Sequence, residues 1–417
     1  MQQIHIQGGK LLEGTINISG AKNSCVALLP AAILCSNKAI IDNVPDISDV
    51  YYLEKIIEQL GGKITKDNDH FEIDCNNIKN TAIKEEYSSK LRASYYFMGA
   101  LLGKFHYVEM YFPGGCNIGL RPINLHLEGF KKLGAKVINQ GNKYIIKADS
   151  LKGNFINLDF ASVGATINIL LAAVLAEGQT IINNAACEPE IVNVASFLTS
   201  MGAKIYGAGT SRIKIIGVKE LKSGYTEVIP DRIEAGTYLI MGALIGKKIT
   251  INNIIPEHIE SLTSKLLESG AELEIYENKI IVSQNKVKNA INIKSQVFPG
   301  FPTDIGQPMG LYMTQLNGFS TYEETIYENR MQYTKYLNQM GANMNVTGQK
   351  LSIIGPTPLK GAYVTATDLR AGATMVIAGL IADGDTYIEE INHILRGYSG
   401  IIEKLQAVGA NIEIIEI

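Results

Sequence analysis

The chain has 417 residues, 46% of them apolar and 19% charged, with 38 basic and 41 acidic side chains and a formal net charge of −3. This balance suits a folded chain with real cores and excludes a disordered one. No basic block supplies a nucleic-acid footprint, and the longest apolar runs, 169–176 and 238–245, fall well short of the ~20 residues that span a bilayer. At roughly 100–200 residues per domain, the length predicts two to four domains. The opening MQQIHIQGG has no charged segment followed by an apolar one, so no signal peptide is expected. Five scattered cysteines, Cys25, Cys35, Cys75, Cys116 and Cys187, form no CxxC. They fit neither a disulfide framework nor a zinc site and point to a reducing cytoplasm. No metal and no cofactor is expected.

In chain order, one signal recurs six times: a helical stretch, then Gly-Gly or Gly-Ala, then a short alternating run. The copies are LGGKI, LGAKV, MGAKI, SGAELEI, MGANMNV and VGANIEI. Their first glycines are Gly61, Gly134, Gly202, Gly270, Gly341 and Gly409, at steps of 73, 68, 68, 71 and 68 residues. Each glycine reads as a left-handed helix cap and each run after it as a strand. A second set of helices, beginning near 26, 95, 169, 239, 308 and 375, is apolar nearly all round and is expected to be buried. Helices over 51–60 and 125–133 carry charge on one side and are expected at the surface. The unit is thus an α/β segment of about 70 residues repeated six times, longer than an ordinary solenoid repeat. Six units allow one closed ring or two lobes of three, and periodicity alone leaves both open.

Candidate chemistry begins at GAKNS. A strand over 15–19 precedes it and a buried helix follows, so Lys22 and Asn23 sit at a helix start, where anions are favoured. An ordinary surface lysine fits equally. In PGGCNIGLRP, Cys116 lies in a glycine-rich loop near Arg121; a thiol near cations can serve as acid or nucleophile, whereas a free cysteine is commonly just a small buried residue, the reading expected of Cys25, Cys35, Cys75 and Cys187. SVGAT, 162–166, is another strand-to-helix turn suited to a phosphate. Arg92, Arg121, Arg232, Arg330, Arg370 and Arg396 fall at element edges in a chain that otherwise prefers lysine. They suit either a multiply charged anion or structural pairs such as Asp368 with Arg370. Asp304 in FPTD is a candidate base or the cap of a helix starting near Gly306. Asp231, Glu188 and Glu190 read chiefly as helix-start acids, and His126 and His393 as structural.

Taken together, GGKLLEGTINISGAKNS, PGGCNIGLRP, SVGATINI, EPEIVN, PDRIEAGT, GFPTD, ENR, DLRAGAT and LRGY resemble the enolpyruvyl transferases over the whole chain. The Lys22–Asn23 pair and the PGGC loop resemble the nucleotide-sugar branch. The shikimate branch carries Lys-Ser at the first site and lacks the loop. LRASYYFMGA and SVGATINI are closer to a second isozyme type of Gram-positive bacteria. The resemblance implies a two-lobed inside-out α/β barrel of six repeats, three per lobe. One lobe would span about 22–229, the other 1–21 plus 230–417, with the active site in the cleft. The implied substrates are phosphoenolpyruvate and UDP-N-acetylglucosamine, in the first committed step of peptidoglycan synthesis; neither nucleic acid nor membrane insertion is implied.

By the same resemblance Cys116 is the acid and the thiol that fosfomycin alkylates, and Asp304 is the partner of the acceptor hydroxyl. Lys22, Arg121 and Arg396 hold the phosphate, and Arg330 and Arg370 the carboxylate side. Asn23 positions the acceptor sugar or the intermediate. Arg92, Arg121, Pro122, Ile123, Asn124, Leu125, Ser162, Val163, Gly164, Asp304 and Ile326 contact the nucleotide-sugar. One departure from the family pattern is Ile167, where an acidic residue is common; it is expected on a buried helix face. Transfer to shikimate-3-phosphate, and a catalytically weak sugar-binding paralogue, are the competing readings.

Overall fold

The structure is a computed structural model and describes residues 2–114 and 122–416. These residues form two compact units. One, here the lysine unit, holds residues 20–114 and 122–229; the other, the aspartate unit, holds 2–19 and 230–416.

Each unit carries three sheets among the described residues. In the lysine unit, Gly224–Glu227 runs parallel to Lys38–Asp42, which continues into an antiparallel pair, His70–Asp74 and Lys63–Asp67. Phe155–Asn157 and Gln179–Asn183 begin a second sheet of the same order, completed by Arg212–Ile216 and Lys204–Tyr206. The third has three strands, Tyr107–Tyr111, Lys143–Lys147 and Lys136–Gln140, and a single parallel bridge from Ile83 to Met110 stands where the fourth would be. The aspartate unit repeats the plan. Its first two strands come from the chain start: Leu12–Asn17 pairs in parallel with Gly246–Asn252, and Gln2–Gln7 lies between Asp385–Glu389 and Asn411–Glu416. This long-range pairing draws the first 19 residues into the unit built from the second half of the chain.

The apolar helices are buried in their units, as expected of segments with no polar stripe. In the lysine unit they are Lys22–Ala32, Tyr96–Phe105 and Val163–Ala173; in the aspartate unit, Arg232–Ile245, Gly306–Met313 and Leu369–Ile381. Their close approach needs small residues. A Cβ on Gly99 would come within 2.4 Å of the Asn168 carbonyl oxygen. Ile167 is fully buried. The helices Ser48–Gln59 and Asn124–Lys132 expose one side.

All six repeat glycines have φ between 95 and 112°. Each follows the C-cap residue of a helix and precedes a strand, for example Lys63–Asp67 after Gly61 and Asn411–Glu416 after Gly409. Any side chain would be strained there. Two local expectations need correction. The strand expected over 15–19 is Leu12–Asn17, because its register is set by pairing with Gly246–Asn252. Cys187 is only half-buried, whereas Cys25, Cys35 and Cys75 are buried as expected.

Candidate active site

In the aspartate unit, Asp304 lies in a single turn, Thr303–Ile305, that leads into the buried helix Gly306–Met313. It does not cap that helix; the cap position is Ile305. The carboxylate instead takes two guanidinium groups. Arg330 Nη2 donates to Oδ1 at 2.6 Å and Arg370 Nη2 to Oδ2 at 3.3 Å. Only 4% of each arginine side chain is exposed, against 26% of Asp304. The acid therefore faces the open side of the cluster and the cations stand behind it. Burial pushes the Asp304 carboxyl up, but Arg330 and Arg370, with Arg232 further off, more than reverse this and hold it well below the usual carboxylate range.

Asp368 does not pair with the Arg370 side chain in the manner the sequence suggested. Its Oδ1 caps the helix Leu369–Ile381, accepting the backbone N–H groups of Arg370 and Ala371 at 2.9 and 3.1 Å. Gln307, buried in the neighbouring helix, donates to Asp368 Oδ2 and to the Arg330 carbonyl, both at 3.2 Å. The Arg370 guanidinium also lies 5.4 Å from the Tyr398 ring centre. Asp231 is a helix cap, as its sequence context suggested, accepting from the N–H groups of Ile233 and Glu234 at 2.8 and 3.1 Å. Arg396 is half-buried at the end of the short helix Asn392–Leu395. The turn carrying Ile326 is held by Glu324, whose Oε1 accepts the Ile326 N–H at 2.8 Å.

In the lysine unit, Lys22 is the first residue of a buried helix and not a surface lysine. Its Nζ lies 2.9 Å from Asp49 Oδ2, with 15% of the lysine side chain exposed. Asn23, beside it, is half-buried. The next residue, Ser24, is fully buried and donates to Asn193 Oδ1 at 2.5 Å. Asn193 in turn accepts the Ile229 N–H at 3.2 Å and donates to Thr226 Oγ1 at 3.1 Å and the Glu227 carbonyl at 3.0 Å. One buried amide thus ties the start of the Lys22 helix to the segment 226–229.

A second cluster in this unit gathers several of the residues expected to contact the nucleotide-sugar. Arg92 lies 5.8 Å from the Tyr95 ring centre, and Tyr95 meets His126 edge-on at 4.8 Å. Gly164 sits directly over this pair: a Cβ there would stand 2.7 Å from Tyr95 Oη and 2.9 Å from His126 Cε1. Ser162 caps the helix Val163–Ala173 by accepting the Ala165 N–H at 3.3 Å, so that N–H is already occupied. Ile123 and His126 are buried, Leu125 is half-buried, and Pro122 and Asn124 are exposed. Asn168 donates to His126 Nδ1 at 2.9 Å, its own Oδ1 being taken by the Gly99 N–H at 2.8 Å. Burial, with Arg92 adding to it, lowers the His126 pKa to about 3, so the ring is neutral near pH 7. His126 is structural, as a lone histidine usually is. Glu188 stands at the N-cap position before the helix Pro189–Ser200 but makes no side-chain cap. Cys116 and Arg121 lie outside the described residues.

Sequence reasoning missed Asp49, Asn193, Thr303, Gln307 and Glu324. One signal was present for Glu324: in FSTYEE, strand alternation turns Ser320, Tyr322 and Glu324 inward, and all three are buried.

Among the described residues, two buried arginines converge on one aspartate in a chain of two three-sheet units. The chain belongs to the EPSP synthase (3-phosphoshikimate 1-carboxyvinyltransferase) family, whose model matches residues 6–405. Within it, the chain is 49% identical over 413 residues to UDP-N-acetylglucosamine 1-carboxyvinyltransferase 2 of Bacillus subtilis (strain 168), covering 99% of this chain and 96% of the relative. It is 50% identical over 407 residues to the protein of the same name in Listeria monocytogenes serovar 1/2a, covering 98% and 96%. Among solved structures, the enolpyruvyl transferase NikO from Streptomyces tendae superposes with a TM-score of 0.90 at 22% identity, covering 99% of this chain and 98% of that one. At that identity the likeness concerns the fold alone. Among the described residues, no helix is long and apolar enough to cross a membrane.

Proposed function

We propose that this chain transfers the enolpyruvyl group of phosphoenolpyruvate to the 3-hydroxyl of UDP-N-acetylglucosamine, releasing phosphate, as the first committed step of peptidoglycan synthesis in the cytoplasm. The observation that carries the reading is Asp304, partly open and backed by buried Arg330 and Arg370, in a chain half identical to full-length relatives bearing that activity's name.

The acceptor oxygen adds to C2 of phosphoenolpyruvate while C3 gains a proton from Cys116. The tetrahedral ketal then expels phosphate as C3 gives a proton back to the Cys116 thiolate, restoring the double bond and the thiol. Asp304 takes the acceptor hydroxyl's proton. Paired with two arginines it is a weak base. An anion arriving at Arg330 and Arg370 competes for those guanidinium groups and lets the carboxyl recover basicity. In this proposal Lys22, Arg121 and Arg396 hold the phosphate, Arg330 and Arg370 the carboxylate side, and Asn23 the acceptor. Arg92, residues 121–125, Ser162, Val163, Gly164, Asp304 and Ile326 bind the nucleotide-sugar. The proposed architecture is a two-lobed inside-out α/β barrel of six repeats, three per lobe, with lobes of about 22–229 and 1–21 plus 230–417.

The test is phosphate release from phosphoenolpyruvate, with UDP-N-acetylglucosamine and shikimate-3-phosphate as alternative acceptors. Release with the nucleotide-sugar alone is expected. Release with shikimate-3-phosphate alone would transfer the chain to the other acceptor class, and release with neither, with binding of the nucleotide-sugar retained, would leave a sugar-binding protein.

A further inference from the structure

Glu324 follows the strand Gly318–Glu323 and is 2% exposed. Its carboxylate accepts five hydrogen bonds. Oε1 takes Ser295 Oγ at 2.9 Å and the N–H groups of Ile326 and Tyr327 at 2.8 and 3.3 Å. Oε2 takes Thr303 Oγ1 at 2.7 Å and Tyr322 Oη at 2.9 Å. Thr303 immediately precedes Asp304, and its oxygen accepts a further bond from Arg330 Nη1 at 2.9 Å.

The directions of these bonds are forced. Arginine has only donors, so Thr303 Oγ1 must accept from Arg330. Its single proton must then go to an acceptor, and Glu324 Oε2 is that acceptor. The run Arg330 to Thr303 to Glu324 has one polarity, set by the carboxylate at its end. It fixes one edge of the guanidinium whose other nitrogen meets Asp304 at 2.6 Å.

We infer that Glu324 is a positioning residue for the transfer: through Thr303 it fixes the Arg330 guanidinium against Asp304, and through its other oxygen it fixes the turn presenting Ile326. The inference rests on the roles proposed above for Asp304 and Ile326. It also separates two effects. In Glu324→Gln the amide oxygen must face the Ile326 and Tyr327 N–H groups, which cannot accept. The NH2 then faces Thr303, which would receive donors from both sides and have nowhere to send its own proton. The turn survives and the relay breaks. Thr303→Val breaks the relay from the other end, and Thr303→Ser keeps it.

The experiment measures kcat and both KM values by phosphate release, with thermal melting alongside, for E324Q, T303V, T303S, the E324Q/T303V double variant and D304A. Misplacement of a reacting group by about 1 Å costs up to ~100-fold, so E324Q and T303V should each lower kcat about tenfold or more. T303S should stay within about twofold of the parent. The double variant should be no worse than the poorer single one, because both cut the same relay. Additive losses, or T303S as poor as T303V, would overturn the inference. So would wild-type kcat in E324Q and T303V beside an inactive D304A, and that result would leave the Asp304 assignment standing. An active D304A would remove the Asp304 assignment and the inference with it. If E324Q does not fold, the comparison of T303V with T303S decides alone.

Discussion

Lys22 and Asp49 form an ion pair in which Nζ and Oδ2 are 2.9 Å apart and only 5% of the aspartate side chain is exposed. The lysine holds the first position of its helix and the aspartate the second position of the helix Ser48–Gln59. A buried carboxylate fixes the direction of a long, flexible cation. A charge-assisted hydrogen bond contributes about 1.5–3 kcal/mol, and each ~1.4 kcal/mol is tenfold in affinity. Asp49→Asn should therefore raise KM for phosphoenolpyruvate about tenfold or more and change KM for the nucleotide-sugar less. Steady-state kinetics checks this, and equal effects on both substrates would detach Lys22 from the phosphate.

Asn193 uses both polar atoms of its amide, and each serves two partners. Asn193→Ala would leave Ser24 and the Ile229 N–H without their acceptor in a buried place. The cost per orphaned group is about 1–3 kcal/mol, so a loss on the order of 3 kcal/mol is expected. Denaturant unfolding followed in the parent and the variant measures it. A loss under about 0.5 kcal/mol, the usual scale of surface changes, would mean the bracket is dispensable.

His126 makes the lysine unit sensitive to acid. Its pKa falls from 6.5 to about 3 on folding, with burial the leading cause. The unfolded chain therefore binds the extra proton first, and stability falls as pH drops from about 6.5 toward 3. The slope contributed is at most about 1.4 kcal/mol per pH unit. His126→Gln keeps an oxygen to accept from Asn168 and cannot titrate. Melting curves between pH 7 and 4 should show a shallower loss for the variant. Parallel curves would locate the acid sensitivity elsewhere.

The proposed role of Cys116 requires a protonated thiol. An unperturbed thiol titrates near pH 8.5, and neighbouring cations lower that value. The rate should fall as pH rises through the thiol's pKa in the working complex. Intact mass after incubation with fosfomycin and UDP-N-acetylglucosamine should show one adduct, absent from Cys116→Ala. A pH–rate profile flat to pH 10, or an unmodified mass, would remove Cys116 from the chemistry.

Much of the local structure was legible in the sequence. The six glycines after LGGKI and its counterparts take positive φ because a helix must stop and a strand begin there, and only glycine enters that region without strain. The helices without a polar stripe are buried because no face of them suits water. FPTD, ENR and DLR were recognisable as motifs. What Asp304 does in the fold was not. The sequence left Asp304 as a base or a helix cap and offered Asp368 as the partner of Arg370; in the structure Asp368 and Asp231 cap helices and Asp304 pairs with the arginines.

That division has a physical basis. Glycine caps, apolar periodicity and strand alternation depend on a few neighbouring residues, so the sequence by itself determined them, along with the family its motifs belong to. Asp304 meets Arg330 across 26 positions and Arg370 across 66. Glu324, buried beside half-exposed Glu323, reaches Thr303 across 21. Lys22 finds Asp49 on another helix, and Asn193 finds Ser24 across 169. Those pairings depend on sheet register and on which polar groups lose access to water. Only the tertiary structure decided them, because the cost of burying an unpaired charge is set by the whole surroundings and not by the local run of residues.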